Sequence, residues 1–155
     1  MKLTAIEAEA MRRVADHALD LHADGKDIVF TAAIVKDGTI LVQARNEVGA
    51  TNDVSRHAEV VAMARVADIL GTRDLSGCTL LASCQPCEMC LGAMRWAGID
   101  RVVFGAQQEY VDDAFFRFPQ LRITDFHRAC NGAFAWQGGV EEHRIAHIYA
   151  PGAAT

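Results

Sequence analysis

Residues 83–90 read S-C-Q-P-C-E-M-C, which places Cys84, Cys87 and Cys90 at intervals of three, and His57-Ala58-Glu59 stands upstream of them. Positions three apart share a helix face, so Cys87 and Cys90 can offer two sulfurs to one cation. A helix N-terminus lowers thiol pKa and favours the thiolate that metal binding needs. Pro86 suits the first turn of that helix, where its missing N–H costs nothing. Cys84 precedes the proline, at the end of a strand, and reads as a small buried neighbour. With His57 as the third ligand, the set is two sulfurs, one nitrogen and an open fourth position. Soft sulfur with borderline nitrogen selects zinc over magnesium or calcium, and an open position separates a catalytic zinc from a structural one. Glu59 is then the carboxylate expected to take a proton from water and to deliver it to a ring nitrogen and a departing amine.

These residues need elements to hold them. Thr4-x-x-Glu7 is a capping box that opens a helix to about Leu21, with Ile6, Ala10, Val14, Ala18 and Leu21 on one face. Residues 28–35 and 40–42 are apolar and β-branched, and the Asp37-Gly38 dipeptide between them predicts a type I′ hairpin. Residues 45–55 read as a polar loop. A second helix is expected from about Arg56 to Leu70, with Val60, Val61, Ala64, Ala67 and Ile69 at helical spacing, stopped by Gly71. A strand over 78–83, the cysteine helix to about Ala97 and a strand over 101–105 follow. Residues 140–149 fit strand or helix. This order predicts an α/β protein, a three-layer α/β/α sandwich with a mixed central sheet and parallel crossovers around the cysteine helix.

A chain of 155 residues fits one domain, residues 1–155. Hydrophobic residues at 51% and charged residues at 23% exclude a disordered composition. Glu7 interrupts the apolar run a secretory leader would need, and no stretch approaches the roughly 18 apolar residues of a membrane span. A cytoplasmic location is expected, where clustered cysteines are metal ligands or catalytic groups more often than disulfides. The net charge of −5 and the absence of a basic run weigh against nucleic acid as a partner.

H-x-E followed by P-C-x-x-C is the mark of zinc deaminases. On these motifs the chain resembles the cytidine deaminase-like superfamily over roughly residues 30–116. The resemblance implies Zn2+ on His57, Cys87 and Cys90, Glu59 as proton shuttle, and a homodimer. Gln85 departs from the pattern, since many members carry Glu there. Arg45-Asn46-Glu47-Val48 and the run from Thr51 to His57 are similar to bacterial guanine deaminases and to tRNA adenosine deaminases. That similarity implies Asn46 as a hydrogen-bonding partner of the ring carbonyl or the sugar-side edge, with the Ala58 backbone N–H assisting. Val111-Asp112-Asp113-Ala114-Phe115 resembles the F-D-D-S-F segment of guanine deaminases, and so nominates Asp113 to meet the purine in a catalytic and binding role. Phe30 matches an F-G-A position and is a candidate to stack on a base, while Trp96 would line the pocket or a dimer interface. For both aromatics ordinary core packing is the plainer reading. His143 and His147 lie four apart without a third ligand and read as a solvated face; Cys78 and Cys130 read as core thiols.

The expected activity is hydrolytic deamination of a free nucleobase, guanine or another amino-purine, cytosine or an amino-triazine. A tRNA-specific adenosine deaminase is the alternative.

Overall fold

Side chains alternate between the two faces of a strand, and in the three central strands of this chain both faces are buried. The computed structural model describes residues 1–153. Its strands are β1 (Thr31–Lys36), β2 (Thr39–Arg45), β3 (Thr79–Cys84), β4 (Arg101–Ala106) and β5 (Ala135–Gln137), which form one sheet in the order β2-β1-β3-β4-β5. β1 is antiparallel to β2 and β3, whereas β3–β4 and β4–β5 are parallel. Ala33, Val35, Leu81 and Val103 pack with Ala10, Met11 and Val14 of α1 (Ala5–Ala23). Their neighbours Ala32, Ile34, Leu80, Ala82, Val102 and Phe104 join a second core with α3 (Ala58–Leu70) and α4 (Glu88–Trp96). α6 (Glu142–Tyr149) packs beside α1, its Ile145, Ile148 and Tyr149 clustering with Ala15, Ala18 and Leu21. The architecture is the expected α/β/α sandwich around a mixed sheet. Burial on both faces is why the strands read as apolar runs and not as alternating ones.

Several local signals act as read. The Thr4–Glu7 capping box is formed, with each side chain accepting the other's backbone N–H. Asp37 and Gly38 have φ of 49° and 73°, as a type I′ turn demands, and join β1 to β2 directly. Gly71 ends α3 at φ 66°.

Other expectations need correction. Residues 45–55 contain a one-turn helix, α2 (Val48–Thr51), closed by Asn52 in the left-handed region. α4 begins at Glu88 with Cys87 as its cap, so Pro86 precedes the helix and is not in its first turn. The buried stripe of α3 is Val61, Ala62, Met63 and Val66, while Ala64 and Ile69 face outward. Trp96 is 94% exposed, which removes both its core and its pocket readings. It follows from helical phase, because α4 buries Cys90, Leu91 and Met94 and turns its last residue away from them. Residues 142–149 are helix, and α5 (Ile123–Ala129) adds Ile123 to the core beneath α3 and α4. Among the described residues no helix is long and apolar enough to cross a membrane.

Candidate active site

Two helix beginnings meet. His57 is the N-cap of α3 and Cys87 is the N-cap of α4, each in extended backbone just before its first turn. Cys90 lies one turn into α4, so the predicted i, i+3 relation holds although Cys87 itself sits outside the helix. The sulfurs of Cys87 and Cys90 are 3.7 Å apart, and they lie 3.5 Å and 3.7 Å from His57 Nδ1. A tetrahedral zinc with bonds of roughly 2.3 Å to sulfur and 2.0 Å to nitrogen would separate its ligands by about 3.5–3.8 Å. The donor set therefore fits zinc in identity and in spacing. These are the residues that the described chain brings together as a possible metal site.

Glu59, in the first turn of α3, is 7% exposed, and its Oε2 accepts the Cys90 thiol at 3.5 Å. Hydrogen bonding from Cys90, opposed by burial and aided by His57, brings the Cys87 thiol down to about 4. That same contact, together with burial, drives the Cys90 thiol well above its ordinary range. The pair divides into a thiolate and a thiol, and a cation taking both sulfurs displaces the second proton. Burial, then the negative charge on Cys87, pushes Glu59 up to about 7, the range in which a carboxylate can both take and return a proton at neutral pH. Contact with Cys87, against desolvation, raises His57. Cys84 is buried at the end of β3 and pushed well upward by burial. It stays outside the ligand group, as its position before Pro86 led us to expect.

A cavity of about 580 Å³ opens above these groups. His57, Glu59 and Cys87 line it, and Asn46, Phe30 and Phe115 contribute walls. Asn46 Oδ1 accepts the Val48 backbone N–H at 3.0 Å. Because that partner can only donate, it identifies the oxygen end of the amide, and the NH2 group is left to donate elsewhere. The Phe30 ring stacks on Tyr149 at 5.0 Å and 10° and meets the edge of Phe115 at 5.1 Å. Phe30 thus packs and lines the cavity at once. Ala58 is fully buried at the first position of α3 and adds no side chain to the lining; first-turn N–H groups have no intrahelical acceptor. Asp113 is a correction. It opens a 3-10 turn, is exposed, and is absent from the lining, whereas Ala114–Arg117 supply that wall. The preceding Asp112 turns its carboxylate onto the Ala114 N–H, and this local turn directs Asp113 outward. His143 and His147 are exposed on α6, with His147 edge-on to His22.

Sequence reasoning missed Tyr149, Gln108 and the 114–117 wall. The Tyr149 hydroxyl donates to the Val29 carbonyl and accepts from the Ser83 hydroxyl, and the Tyr149 carbonyl accepts the Asp112 N–H. One residue of α6 therefore supports both Phe30 and the segment carrying Phe115. The only sequence signal for this was the apolar face of residues 140–149.

Comparison with known proteins adds the following. The family model for the cytidine and deoxycytidylate deaminase zinc-binding region matches residues 5–106. The guanine deaminase of Bacillus subtilis is 42% identical over 87 residues, 56% of this chain and 56% of that protein. A tRNA-specific adenosine deaminase of Agrobacterium fabrum is 33% identical over 81 residues, 52% of this chain and 53% of that protein. The chain thus spans little more than half the length of either relative. A solved structure from work on A-to-I editing by tRNA:A34 deaminases superposes with a TM-score of 0.75 at 26% identity, covering 90% of this chain and 98% of that one.

Proposed function

The chain belongs to the cytidine and deoxycytidylate deaminase zinc-binding family, and from that premise we propose that it is a zinc-dependent hydrolase removing an exocyclic amino group from a free nucleobase, guanine first among the candidates. One observation carries the reading: the Glu59 carboxylate stands beside the His57, Cys87 and Cys90 donors on the floor of an aromatic-walled cavity of about 580 Å³. That volume is in the range of small-molecule sites.

His57, Cys87 and Cys90 would hold zinc, which would supply the Lewis acidity that lowers the pKa of water to about 7. The chain's own residues do the rest. Glu59 accepts a proton as the water oxygen bonds to the amino-bearing carbon, and passes it to a ring nitrogen. Glu59, again ionised, then takes the remaining proton from the adduct hydroxyl and delivers it to the amine as the carbon–nitrogen bond breaks and the carbonyl forms, giving ammonia and a keto base. The free NH2 group of Asn46 donates to a ring carbonyl. Phe30 and Phe115 offer apolar surface to a planar ring and exclude water from around it.

Ammonia release from guanine, isoguanine, adenine, cytosine and amino-triazines tests the proposal. The wild-type protein is expected to turn over at least one of them. Glu59→Gln should keep its zinc and lose activity by about 10²- to 10⁴-fold. Similarity to tRNA adenosine deaminases favours a second reading. Under it no free base is deaminated, and tRNA binds with an affinity that falls steeply as salt rises.

A further inference from the structure

Gln85 sits between the cavity and a buried amide chain. It is 8% exposed and lines the cavity, while Gln108, 4% exposed, lies behind it. Gln108 Nε2 donates to the carbonyls of Pro119 at 3.2 Å and Leu121 at 3.1 Å. Backbone carbonyls only accept, so these two bonds fix which end of the Gln108 amide is nitrogen. Its oxygen then requires a donor, and Gln85 Nε2 provides one at 3.2 Å. The orientation of Gln85 is fixed in turn, and its Oε1 is left without a protein partner. Among the described residues every fully buried side-chain nitrogen or oxygen has a partner. The Gln85 oxygen is therefore accessible, and the cavity is the space that Gln85 borders.

We propose that Gln85 is a substrate-recognising residue whose amide oxygen accepts a hydrogen bond from a ring N–H of the base, with Gln108 as the positioning residue that keeps it turned that way. This rests on the free-base reading above and extends it. Asn46 donates and Gln85 accepts, so the cavity suits a ring carrying both a carbonyl and an N–H. A base whose corresponding nitrogen lacks hydrogen leaves the Gln85 oxygen desolvated and unpaired, which is the penalty that discriminates.

The test compares kcat/KM for guanine, 1-methylguanine and 9-methylguanine, each methylated base lacking one ring N–H. In the wild-type protein guanine should exceed one of the methylated bases. Gln85→Met should narrow that one ratio by about tenfold and leave the other ratio as it was. Gln108→Met, which leaves the lining unchanged, should narrow the same ratio by freeing the Gln85 amide to turn. Unchanged ratios in Gln85→Met, or equal losses on all three bases, overturn the proposal. Failure of the free-base reading looks different, since the wild-type protein then releases ammonia from none of the three.

Discussion

Cys84 and Cys90 are both buried thiols driven upward by their surroundings, yet only Cys90 reaches His57 and Cys87. The difference is a test of the ligand assignment at single-residue resolution. Cys90→Ala should reduce zinc content well below one ion per chain and abolish turnover. Cys84→Ala should leave zinc in place and cost about 1 kcal/mol of stability from lost packing. Metal analysis beside a urea titration separates the two, and equal zinc loss in both variants would contradict the assignment. The candidate metal donors could be nominated from sequence because they obey short-range rules: two cysteines three apart at a helix start, and a histidine two residues from a carboxylate. Asp113 was misread because a two-residue turn at Asp112 sets its direction, and a carried-over motif does not contain that turn. Gln85 and Gln108 were invisible as a pair, since 23 residues separate them and only the sheet brings them together.

At the scale of elements, two glycines make opposite predictions. A Cβ on Gly105 would lie 2.6 Å from Ile145 Cδ1 and 2.6 Å from the Ser83 carbonyl oxygen. β4 is held against β3 on one side and α6 on the other, and the Ser83 backbone cannot retreat. Gly105→Ala should therefore destabilise the protein by roughly 1–3 kcal/mol. Gly92, inside α4, meets nothing within 4 Å. There alanine only restricts the unfolded chain and favours helix, so Gly92→Ala should stabilise by about 0.5–1 kcal/mol. Denaturation midpoints decide, and a shift of the same sign in both variants would refute the packing argument. The contrast also explains which elements could be read. Helix starts, the hairpin and the Gly71 stop depend on neighbours in sequence. Residues 142–149 dock where Gly105 of β4 leaves room for Ile145, a long-range contact that the segment's own sequence does not reveal.

Over the whole molecule, one carboxylate ties the first helix to two neighbouring strands of the sheet. Glu7 caps α1, but it is also 2% exposed and reaches well beyond its own turn. Its oxygens accept from Thr79 at 2.9 Å and from Arg101 at 2.5 Å and 2.8 Å, linking α1 to β3 and β4. The capping box was read as a local device, and the structure adds a fold-wide one that the sequence spacing of 94 residues conceals. Burial alone would raise this carboxyl, yet the hydrogen bonds from Arg101, Thr4 and Thr79 outweigh it and hold Glu7 at about 2. A group whose pKa is depressed on folding contributes its full stabilisation above the unfolded value of 4.5 and loses it as pH falls toward 2. The shift corresponds to about 3 kcal/mol at neutral pH. Glu7→Gln keeps the acceptor for Thr4 but leaves the Arg101 charge unmatched, so its Tm should lie well below wild type at pH 7. Between pH 4.5 and 2 the wild-type carboxyl becomes protonated, and the two Tm values should converge. Any acid release of a bound metal would affect both proteins and cancel in the difference. A Tm gap that stays constant from pH 7 to pH 2.5 would show that Glu7 acts by shape and capping, and that its charge contributes nothing to joining the helix to the sheet.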